Sequence, residues 1–365
     1  MKINHVTTAH PRNDTRVFHK IFKSVKRRHG SVKLYVSDGK GNDYDNVVID
    51  TCQGNRNSSR ITKIFRMAKS LIRKRDEIIH FHDPELIPLM LILSLRNHVI
   101  FDIHEDFLSS IPVKFNSGIL KLLIKQMLKF LLILGTYRFY FILAEADYKR
   151  KYNSRLSTSV VLNLPDLDLL KGSFVTDRPI AKTVKLLYIG SLTVERGIET
   201  MCEIITRLNE KSDQKRFELH LIGDGPAVHY LKPSPFIVLH GRLDLLKAYD
   251  FSRFCHFGLC LLHPTENYLN SIPTKILEYN AVNLPFFVSD FPFYRLLSEE
   301  LSCAMTVDYE NVDFIVSQIQ EFSANEALYC NMLAKWTYQQ GNVWAEQEKN
   351  MFVLYDHILN GARVI

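Results

Sequence analysis

The stretch "VKLLYIGSL" (184–192), followed by "ERGIETMCEIITRLNEK" (195–211), decides the fold class of this chain. The apolar run predicts a buried strand, the glycine predicts a turn, and the periodic apolar residues of the second segment predict a helix. The same order of strand, turn and helix recurs along the chain. Strands that alternate with helices predict an α/β fold with parallel, doubly wound sheets.

The predicted elements fall into two series, because the pattern restarts after a proline-containing connection at 160–183. A chain of 365 residues also exceeds one ordinary core. We therefore predict two Rossmann-like domains with parallel sheets facing across a cleft, and a ligand in that cleft. The predicted limits are 1–168, 180–345, and a C-terminal helix at 346–365 that packs back on the first domain. The strands are predicted at 31–38, 77–84, 98–106, 140–147, 184–192, 216–226, 236–243, 256–264 and 284–290, and a first-half helix at 60–75.

The amino-acid composition indicates the class of protein, its cellular compartment and the charge of its partners. The apolar and charged fractions, 46% and 23%, are those of an ordinary folded chain, and the six cysteines form no C-x-x-C pair. These features and the early polar residues predict a cytoplasmic protein without a signal peptide. The net charge of +7 favours anionic partners. The aromatic residues lie mostly in apolar runs, which argues against nucleic acid.

Polar residues follow two of the first-half strands. His82 and Asp83 end one predicted strand, and His104 and Glu105 end another. Ligands of doubly wound sheets bind beyond the carboxyl ends of the strands, so these residues are candidates for acceptor binding. A neutral His104 could donate to a sugar hydroxyl or to a leaving oxygen, although a lone histidine is more often structural.

The loop after the first strand adds Asp14 and Arg16, in "HPRNDTRVFHK" (10–20). If the two side chains are buried, an ion pair explains them. If they are exposed in the cleft, they could position an acceptor.

Two cations lie near predicted helix starts in the second half. In "SIPTKILEYNA" (271–281), Ser271 is a candidate N-cap and Pro273 fits the first turn. Lys275 then falls where the helix dipole is already positive, and Arg196 holds a similar position. A diphosphate bound by both cations and by helix amides explains this placement. Solvated surface charge is the alternative.

Residues beside this predicted anion site could contact the rest of a nucleotide. Glu278, three residues after Lys275, could accept both hydroxyls of a ribose. The alternative is a Lys–Glu pair within the helix, worth ~0.3 kcal/mol. Gly223 and Gly225 in "GDGP" are predicted with equal weight as a tight turn or as a contact to a diphosphate or base.

No metal is predicted. A D-x-D pattern in "NDYDN" (42–46) lies in a loop rich in glycine and asparagine rather than after an apolar strand. We interpret it as a solvated turn.

The segment at 118–141 combines a largely apolar helix with a stripe of lysines at 121, 125 and 129. It is too charged for a confident membrane span. It suits a helix on an anionic membrane surface, helped by the basic clusters at 26–28 and 73–75. A core helix with a solvated lysine edge is an equal alternative.

Taken in order, several of these motifs resemble retaining GT-B glycosyltransferases of glycosyltransferase family 4, and the N-terminal segment resembles bacterial members that build surface polysaccharides. The resemblance spans roughly residues 3 to 345. The segments that carry it are "DTRVFHK" (14–20), "HDPELIP" (82–88), "FDIHEDF" (101–107), "VLNLPD" (161–166), "YIGSLTVERGIETM" (188–201), "LIGDGP" (221–226), "LHGRL" (239–243) and "PTKILEYNA" (273–281).

The resemblance implies roles for particular residues. Arg196 would contact the donor diphosphate and Glu278 the donor ribose. His104 would contact the donor sugar near the reacting carbon, and Gly223 and Gly225 would form the turn near the nucleotide.

Two positions depart from the family pattern. Asn270 stands where the family has the first glutamate of its E-x7-E motif, and Ser191 stands where a second arginine is frequent. We expect Thr274 and Lys275 to take over part of that work, with Lys275 on phosphate.

The resulting hypothesis is a metal-independent hexosyltransferase that retains anomeric configuration and needs no cofactor. Its donor would be a UDP or GDP sugar, and its acceptor a saccharide or lipid-linked oligosaccharide at the inner face of the plasma membrane. The alternatives are a nucleotide-sugar epimerase of the same fold and a non-enzymatic basic module that binds membrane surfaces.

Overall fold

The computed structural model describes residues 1–104, 107–108, 118–269, 271–301, 303–336 and 343–361, with only the backbone given for 118–121, 230, 266 and 267. The chain divides into two compact units. Residues Met1–Asn163 and Trp344–Ile365 form the N-terminal unit, and Leu164–Val343 form the C-terminal unit.

The N-terminal unit contains a seven-stranded parallel sheet. Its strands are β1 (Ile3–Val6), β2 (Val32–Val36), β3 (Val48–Asp50), β4 (Ile78–Phe81), β5 (His98–Ile103), β6 (Phe139–Leu143) and β7 (Thr158–Val160). Their order across the sheet is β3-β2-β1-β4-β5-β6-β7. Its helices are a π-helix (Thr15–Phe22), α1 (Lys23–His29), α2 (Arg60–Leu71), α3 (Ile87–Leu93) and α4 (Gly118–Thr136), with 3₁₀ turns at Pro84–Leu86 and Ala146–Arg150.

The C-terminal unit contains a six-stranded parallel sheet. Its strands are β8 (Thr183–Ile189), β9 (Arg216–Ile222), β10 (Ile237–Gly241), β11 (Phe257–Cys260), β12 (Phe286–Ser289) and β13 (Ala304–Val307), in the order β10-β9-β8-β11-β12-β13. Its helices are α5 (Leu167–Leu170), α6 (Ile198–Glu210), α7 (Leu245–Phe251), α8 (Glu266–Leu269), α9 (Thr274–Ala281), α10 (Pro292–Glu300), α11 (Val312–Ala324) and α12 (Glu326–Ala334), with 3₁₀ turns at Lys171–Ser173, Val194–Arg196, Pro226–Tyr230 and Ser252–Phe254.

The central strands are buried on both faces, which explains why they read as continuous apolar runs in the sequence. All six residues of β5 and all five of β6 are buried. The two parallel sheets confirm the predicted α/β class and the two Rossmann-like domains.

The last helix, α13 (Trp344–Gly361), belongs to the N-terminal unit. Trp344, Met351 and Tyr355 are fully buried and share a core with Val17 and Ile21 of the π-helix.

Three details differ from the sequence predictions. The helix predicted over 118–141 ends at Thr136, because the aromatic run from Phe139 pairs with β5 as a strand. The helix predicted to be capped by Ser271 begins at Thr274, with Pro273 as its N-cap. The short strands β3, β7 and β13 were not predicted, since three or four residues are too few to establish an alternation.

None of the helices in the described part of the chain has the length and apolar content needed to cross a membrane.

Candidate active site

Two basic side chains meet over Gly190, the residue that follows β8. A Cβ added to Gly190 would lie 3.1 Å from Lys275 Nζ and 3.4 Å from Arg196 Nη1. It would also lie 3.2 Å from the hydroxyl of Tyr188. The structure thus brings together the two cations that the sequence placed at separate helix starts, at the carboxyl edge of the second sheet.

Lys275 is the second residue of α9 and is only 6% exposed. Its Nζ lies 3.9 Å from the ring centroid of Tyr188. Within the described chain, this buried Nζ finds no hydrogen-bond partner. A buried ammonium without an anion carries a desolvation penalty of several kcal/mol, which a bound anion would offset. The alternative of solvated surface charge is therefore wrong for Lys275.

Arg196 ends the 3₁₀ turn before α6, and its guanidinium carbon lies 5.7 Å from the ring centroid of Tyr268. Burial by itself would lower the pKa of Arg196, but the hydroxyls of Tyr188 and Tyr268 raise its pKa above the ordinary value. Because both partners are neutral phenols, they orient the guanidinium of Arg196 but do not neutralise its positive charge.

Ser191 and Thr274 flank the two cations. Ser191 is exposed, and its carbonyl oxygen accepts a hydrogen bond from the Tyr188 hydroxyl at 2.9 Å. Thr274 is half-buried at the first position of α9. Its amide therefore belongs to the first turn of the helix, which lacks backbone acceptors within the helix and attracts anions.

Glu278 lies one turn after Lys275 in α9 and is 6% exposed. Its Oε2 accepts a hydrogen bond of 2.6 Å from the Tyr249 hydroxyl. Burial and the Glu278 carboxylate raise the pKa of Tyr249 well above its usual value. The Lys–Glu pair considered from the sequence is not formed, since Lys275 Nζ has no such partner in the described chain.

Gly223 and Gly225 are required by a close approach of two loops. A Cβ on Gly223 would overlap the carbonyl of Gly190, and one on Gly225 would overlap the carbonyl of Leu192. Backbone hydrogen bonds from Gly190 to Ile222 and from Leu192 to Asp224 hold these loops together. The glycines therefore shape the edge on which the two cations converge.

The N-terminal unit has a second polar cluster, centred on Asp102 at the end of β5. Arg16 donates to both oxygens of Asp102, at 3.1 and 2.7 Å, and to the carbonyl of Val161 at 2.9 Å. His82 Nδ1 and His104 Nε2 lie 3.1 and 2.5 Å from Asp102 Oδ2. Burial opposes ionisation of Asp102, but Arg16 and His104 hold its pKa well below the usual range.

A second ion pair closes the loop after β1. Asp14 caps the π-helix by accepting from the amides of Arg16 and Val17, and its other oxygen lies 3.5 Å from His10 Nδ1. Asp83 accepts from the hydroxyl of Thr7 and lies 3.4 Å from His10 Nε2. Burial by itself would lower the pKa of His10, but Asp14 and Asp83 raise that pKa to about 9.

A cavity of about 490 Å³ lies in the N-terminal unit beside these groups. Its polar lining includes His10, His82, Asp83, Asp102 and His104. Its apolar lining includes Phe107 and three side chains of α4, namely Ile124, Met127 and Leu128. A cavity lined by both polar and apolar side chains can accept a ligand that has both characters.

Several predicted site residues are placed differently from expectation. Arg16 is 4% exposed and pairs with Asp102 rather than facing a ligand, so its predicted contact with an acceptor is not supported. The loop predicted for Asp14 and Arg16 is wrong, because Asp14 caps the π-helix and Arg16 lies within it. Asn270 and Glu105, the remaining predicted site residues, lie outside the described residues.

Sequence reasoning missed His10, Asp102, Tyr188 and Tyr249. Asp102 sits inside an apolar strand, which was a usable signal because a buried carboxylate requires a partner. The tyrosines gave no such signal, since an aromatic residue in an apolar run predicts only a core position.

One family model matches part of the chain. Residues 183–325 match the model of the family described as glycosyl transferases group 1. This segment contains Gly190, Arg196, Lys275 and Glu278. No curated protein matches the chain significantly.

Solved structures match along nearly the whole chain. WaaG, a glycosyltransferase involved in lipopolysaccharide biosynthesis, is 12% identical over 99% of this chain and 100% of its own, with a TM-score of 0.67. Anabaena Alr3699/HepE, solved with UDP and glucose, is 12% identical with the same coverage and a TM-score of 0.64. Sucrose-phosphate synthase from Thermosynechococcus elongatus is 11% identical, covers 99% and 100% of the two chains, and has a TM-score of 0.64. The fold is therefore that of the GT-B glycosyltransferases, and the segment that matches the family model lies within the C-terminal unit.

Proposed function

We propose that this protein is a glycosyltransferase that moves a sugar from a nucleotide diphosphate sugar to a saccharide acceptor. The observation that carries the proposal is the meeting of Lys275 and Arg196 over Gly190, with Lys275 Nζ buried and unpaired within the described chain. Two uncompensated cations at the amino end of a helix match the two negative charges of a diphosphate. The family match of residues 183–325 supports the same reaction class.

The donor nucleotide would bind to the C-terminal unit. Its diphosphate would rest against Lys275, Arg196 and the first amides of α9, including that of Thr274. Glu278 would accept hydroxyl hydrogen bonds from the ribose while Tyr249 holds it in place. The structural neighbour from Anabaena carries UDP, which supports a nucleoside diphosphate donor of this type.

In the transfer step the bond between the anomeric carbon and the diphosphate breaks, and negative charge grows on the leaving oxygen. Preorganised cations stabilise that charge most strongly when water is excluded, and removal of one such group from an enzyme slows turnover by about 10²–10³-fold. We propose that Lys275 and Arg196 perform this task without a metal. We further propose retention, with the acceptor hydroxyl attacking the face from which the diphosphate leaves and giving its proton to the departing phosphate.

The acceptor would bind to the cavity of the N-terminal unit. His104 is held by Asp102 through its Nε2, and this contact fixes the orientation of the ring. His10, His82 and Asp83 add further polar groups to the cavity lining. Their charges are largely neutralised within the protein, so this lining suits uncharged hydroxyl groups of a sugar.

The apolar lining of the cavity supports a lipid-linked acceptor. Met127 both lines the cavity and is 53% exposed on the outside of α4. The exposed face of α4 also carries Leu123, Phe130 and Ile133, each between 57% and 62% exposed. A sugar in the cavity and a lipid chain along α4 would match these two surfaces.

The same face of α4 would bind an anionic membrane surface. Lys129 is exposed and Lys125 is half-buried beside the exposed apolar side chains. Interfacial helices combine apolar contact with attraction between basic residues and anionic lipid. This arrangement would hold the protein at the inner face of the plasma membrane, as expected of a surface-polysaccharide enzyme.

The membrane proposal is tested by sedimentation with vesicles. We expect the protein to sediment with vesicles that contain anionic lipid, and a Leu123→Ser/Phe130→Ser variant to lose this binding. Leu296→Ser, at a 64% exposed leucine of α10, is the matched control. Equal sedimentation of all three proteins would refute the membrane role of α4.

The catalytic proposal is tested by incubating the protein with UDP and GDP sugars, with and without lipid-linked and free saccharide acceptors. Nucleoside diphosphate released only with an acceptor, together with a glycosylated product, would support transfer. Conversion of the nucleotide sugar without an acceptor would identify an epimerase instead. Vesicle binding without any nucleotide binding would favour the non-enzymatic module.

A further inference from the structure

Three buried histidines share one face of the N-terminal sheet. His5 on β1 is the register partner of His80 on β4, so the two side chains lie next to each other on the same face. His82 follows two residues after His80 and returns to that face. All three residues are at most 3% exposed. Three imidazoles in a strand core need a reason, because apolar residues would pack there without unmet hydrogen bonds.

His5 and His82 approach each other through one ring nitrogen each. His5 Nδ1 lies 3.4 Å from His82 Nε2. His80 Nε2 is buried and, within the described chain, has no hydrogen-bond partner. The three histidines each offer one ring nitrogen, and these nitrogens lie within 4.8 Å of one another.

The outward nitrogens of the same rings are held by other side chains. His82 Nδ1 lies 3.1 Å from Asp102 Oδ2. The Tyr355 hydroxyl of α13 lies 2.7 Å from His80 Nδ1 and 3.5 Å from His5 Nε2. Metal-binding histidines show this division, with one nitrogen on the ion and the other on a carboxylate or another oxygen group that orients the ring.

We propose that His5, His80 and His82 bind a divalent transition-metal ion of the zinc type. A tetrahedral ion with bonds of 2.0–2.1 Å separates its ligand nitrogens by about 3.3–3.4 Å, which agrees with the observed spacing of His5 and His82. Because the ligand nitrogens are within 4.8 Å of one another, His80 would move towards the ion on binding, and a solvent molecule would supply the fourth ligand. Imidazole nitrogens favour zinc, cobalt, nickel and copper over magnesium and calcium.

The ion would stabilise the fold of the N-terminal unit. It would join β1 to β4 directly and fix Tyr355 of α13 through the histidine rings. The basic residues of the proposed donor site belong to the other unit, but His82 also lines the cavity proposed for the acceptor, so metal binding is tested by spectroscopy and melting temperature rather than by activity. A metal at this site would depart from the sequence prediction of no metal, whereas the proposed sugar-transfer step itself uses none.

The test uses the full-length protein after treatment with a chelator. We expect one equivalent of Co²⁺ to give the visible absorption bands of a tetrahedral ion with nitrogen ligands, and Zn²⁺ to displace it. We also expect an excess of Zn²⁺ to raise the melting temperature by several degrees, since ligand at 100 times its Kd stabilises a protein by ~2.7 kcal/mol. The wild-type protein alone can overturn the proposal: without Co²⁺ bands and a zinc-induced shift, the histidines are a hydrogen-bonded core cluster only.

Single substitutions test whether the ion binds at the three proposed histidines. His80→Gln should abolish the Co²⁺ bands and the zinc-induced shift, whereas His357→Gln, at an exposed histidine of α13, should keep both. Tyr355→Phe retains all three ligands and should weaken zinc affinity by ~10–100-fold. If His80→Gln does not fold, the Tyr355→Phe measurement decides. Unchanged zinc affinity in Tyr355→Phe, or equal loss of binding in His357→Gln, contradicts the proposed site.

Discussion

The two polar clusters of this protein differ in whether their buried charged groups are paired with opposite charges. In the N-terminal unit, the buried guanidinium of Arg16 donates to both oxygens of Asp102, and His10 lies between Asp14 and Asp83. In the C-terminal unit, Lys275 is buried and its Nζ finds no partner in the described chain, while Arg196 is oriented by phenols. A cluster whose charges are paired within the protein suits the binding of a neutral ligand or a purely structural role. A cluster whose cations are not paired within the protein suits the binding of an anionic ligand.

The largest expected effect comes from breaking the compensated pair. Asp102→Asn keeps the shape of the side chain but leaves Arg16 buried without an anion. We expect the free energy of unfolding to fall by about 3–5 kcal/mol, measured by urea denaturation. The control is Asp290→Asn, which breaks a similar bidentate pair with Arg295 at the surface. That loss should be much smaller, because solvent screens an exposed pair. Equal losses in the two variants would contradict the account of the buried pair.

The next effect concerns the uncompensated cluster. Lys275→Met should lower turnover of the nucleotide sugar by about 10²–10³-fold, because a positive group that faces the leaving diphosphate is lost. The same substitution should leave the unfolding free energy of the ligand-free protein unchanged or higher, since it removes a buried, unpaired ammonium. Parallel losses of stability and turnover would indicate that Lys275 is structural.

A smaller effect concerns the pH dependence of the unfolding free energy, to which the paired His10 contributes. The pKa of His10 is raised to about 9, above the value of about 6.5 expected in the unfolded chain. A raised pKa stabilises the fold below pH 6.5, and this contribution is lost as pH rises through 9. We expect the unfolding free energy to fall by on the order of 1–3 kcal/mol between pH 7.5 and 9.5.

The control for this prediction is His10→Gln, in which the decline should be smaller by the His10 contribution. Both proteins share a further decline, because burial raises the pKa values of the Cys202, Cys255 and Cys260 thiols to about 11, 12 and 11 while the same thiols ionise at lower pH in the unfolded chain. Glu145 contributes little in this window, because burial and then Asp147 raise its pKa only to about 7. A decline of equal size in the variant would mean that His10 does not carry the charge proposed for it.

The smallest effect concerns the ribose. If Glu278 accepts hydrogen bonds from both ribose hydroxyls, the wild-type protein should bind a nucleoside diphosphate more tightly than its 2′-deoxy form, by about tenfold. Glu278→Leu should remove most of that preference, as measured by isothermal titration calorimetry. A preference that persists in the variant would assign ribose recognition to another residue.

The sequence predicted the two sheets because their strands are buried on both faces and therefore read as apolar runs bounded by turns. It also identified Lys275 and Arg196, since a cation at a helix start conflicts with the helix dipole and so requires an explanation. The sequence could not predict other contacts in the two sites. The partner of Arg16 is Asp102, 86 residues later, and the partner of Glu278 is Tyr249, so neither pair has a local pattern.

The central claim, that Lys275 and Arg196 bind a diphosphate, is tested most directly by a thermal-shift comparison. Nucleoside diphosphates should raise the melting temperature of the wild-type protein, whereas the nucleoside alone should not. Lys275→Met should lose most of this shift, and Lys182→Met, at an exposed lysine before the opposite end of β8, should keep it. Equal shifts in Lys275→Met and the wild-type protein, or no shift with any nucleoside diphosphate, would contradict the account.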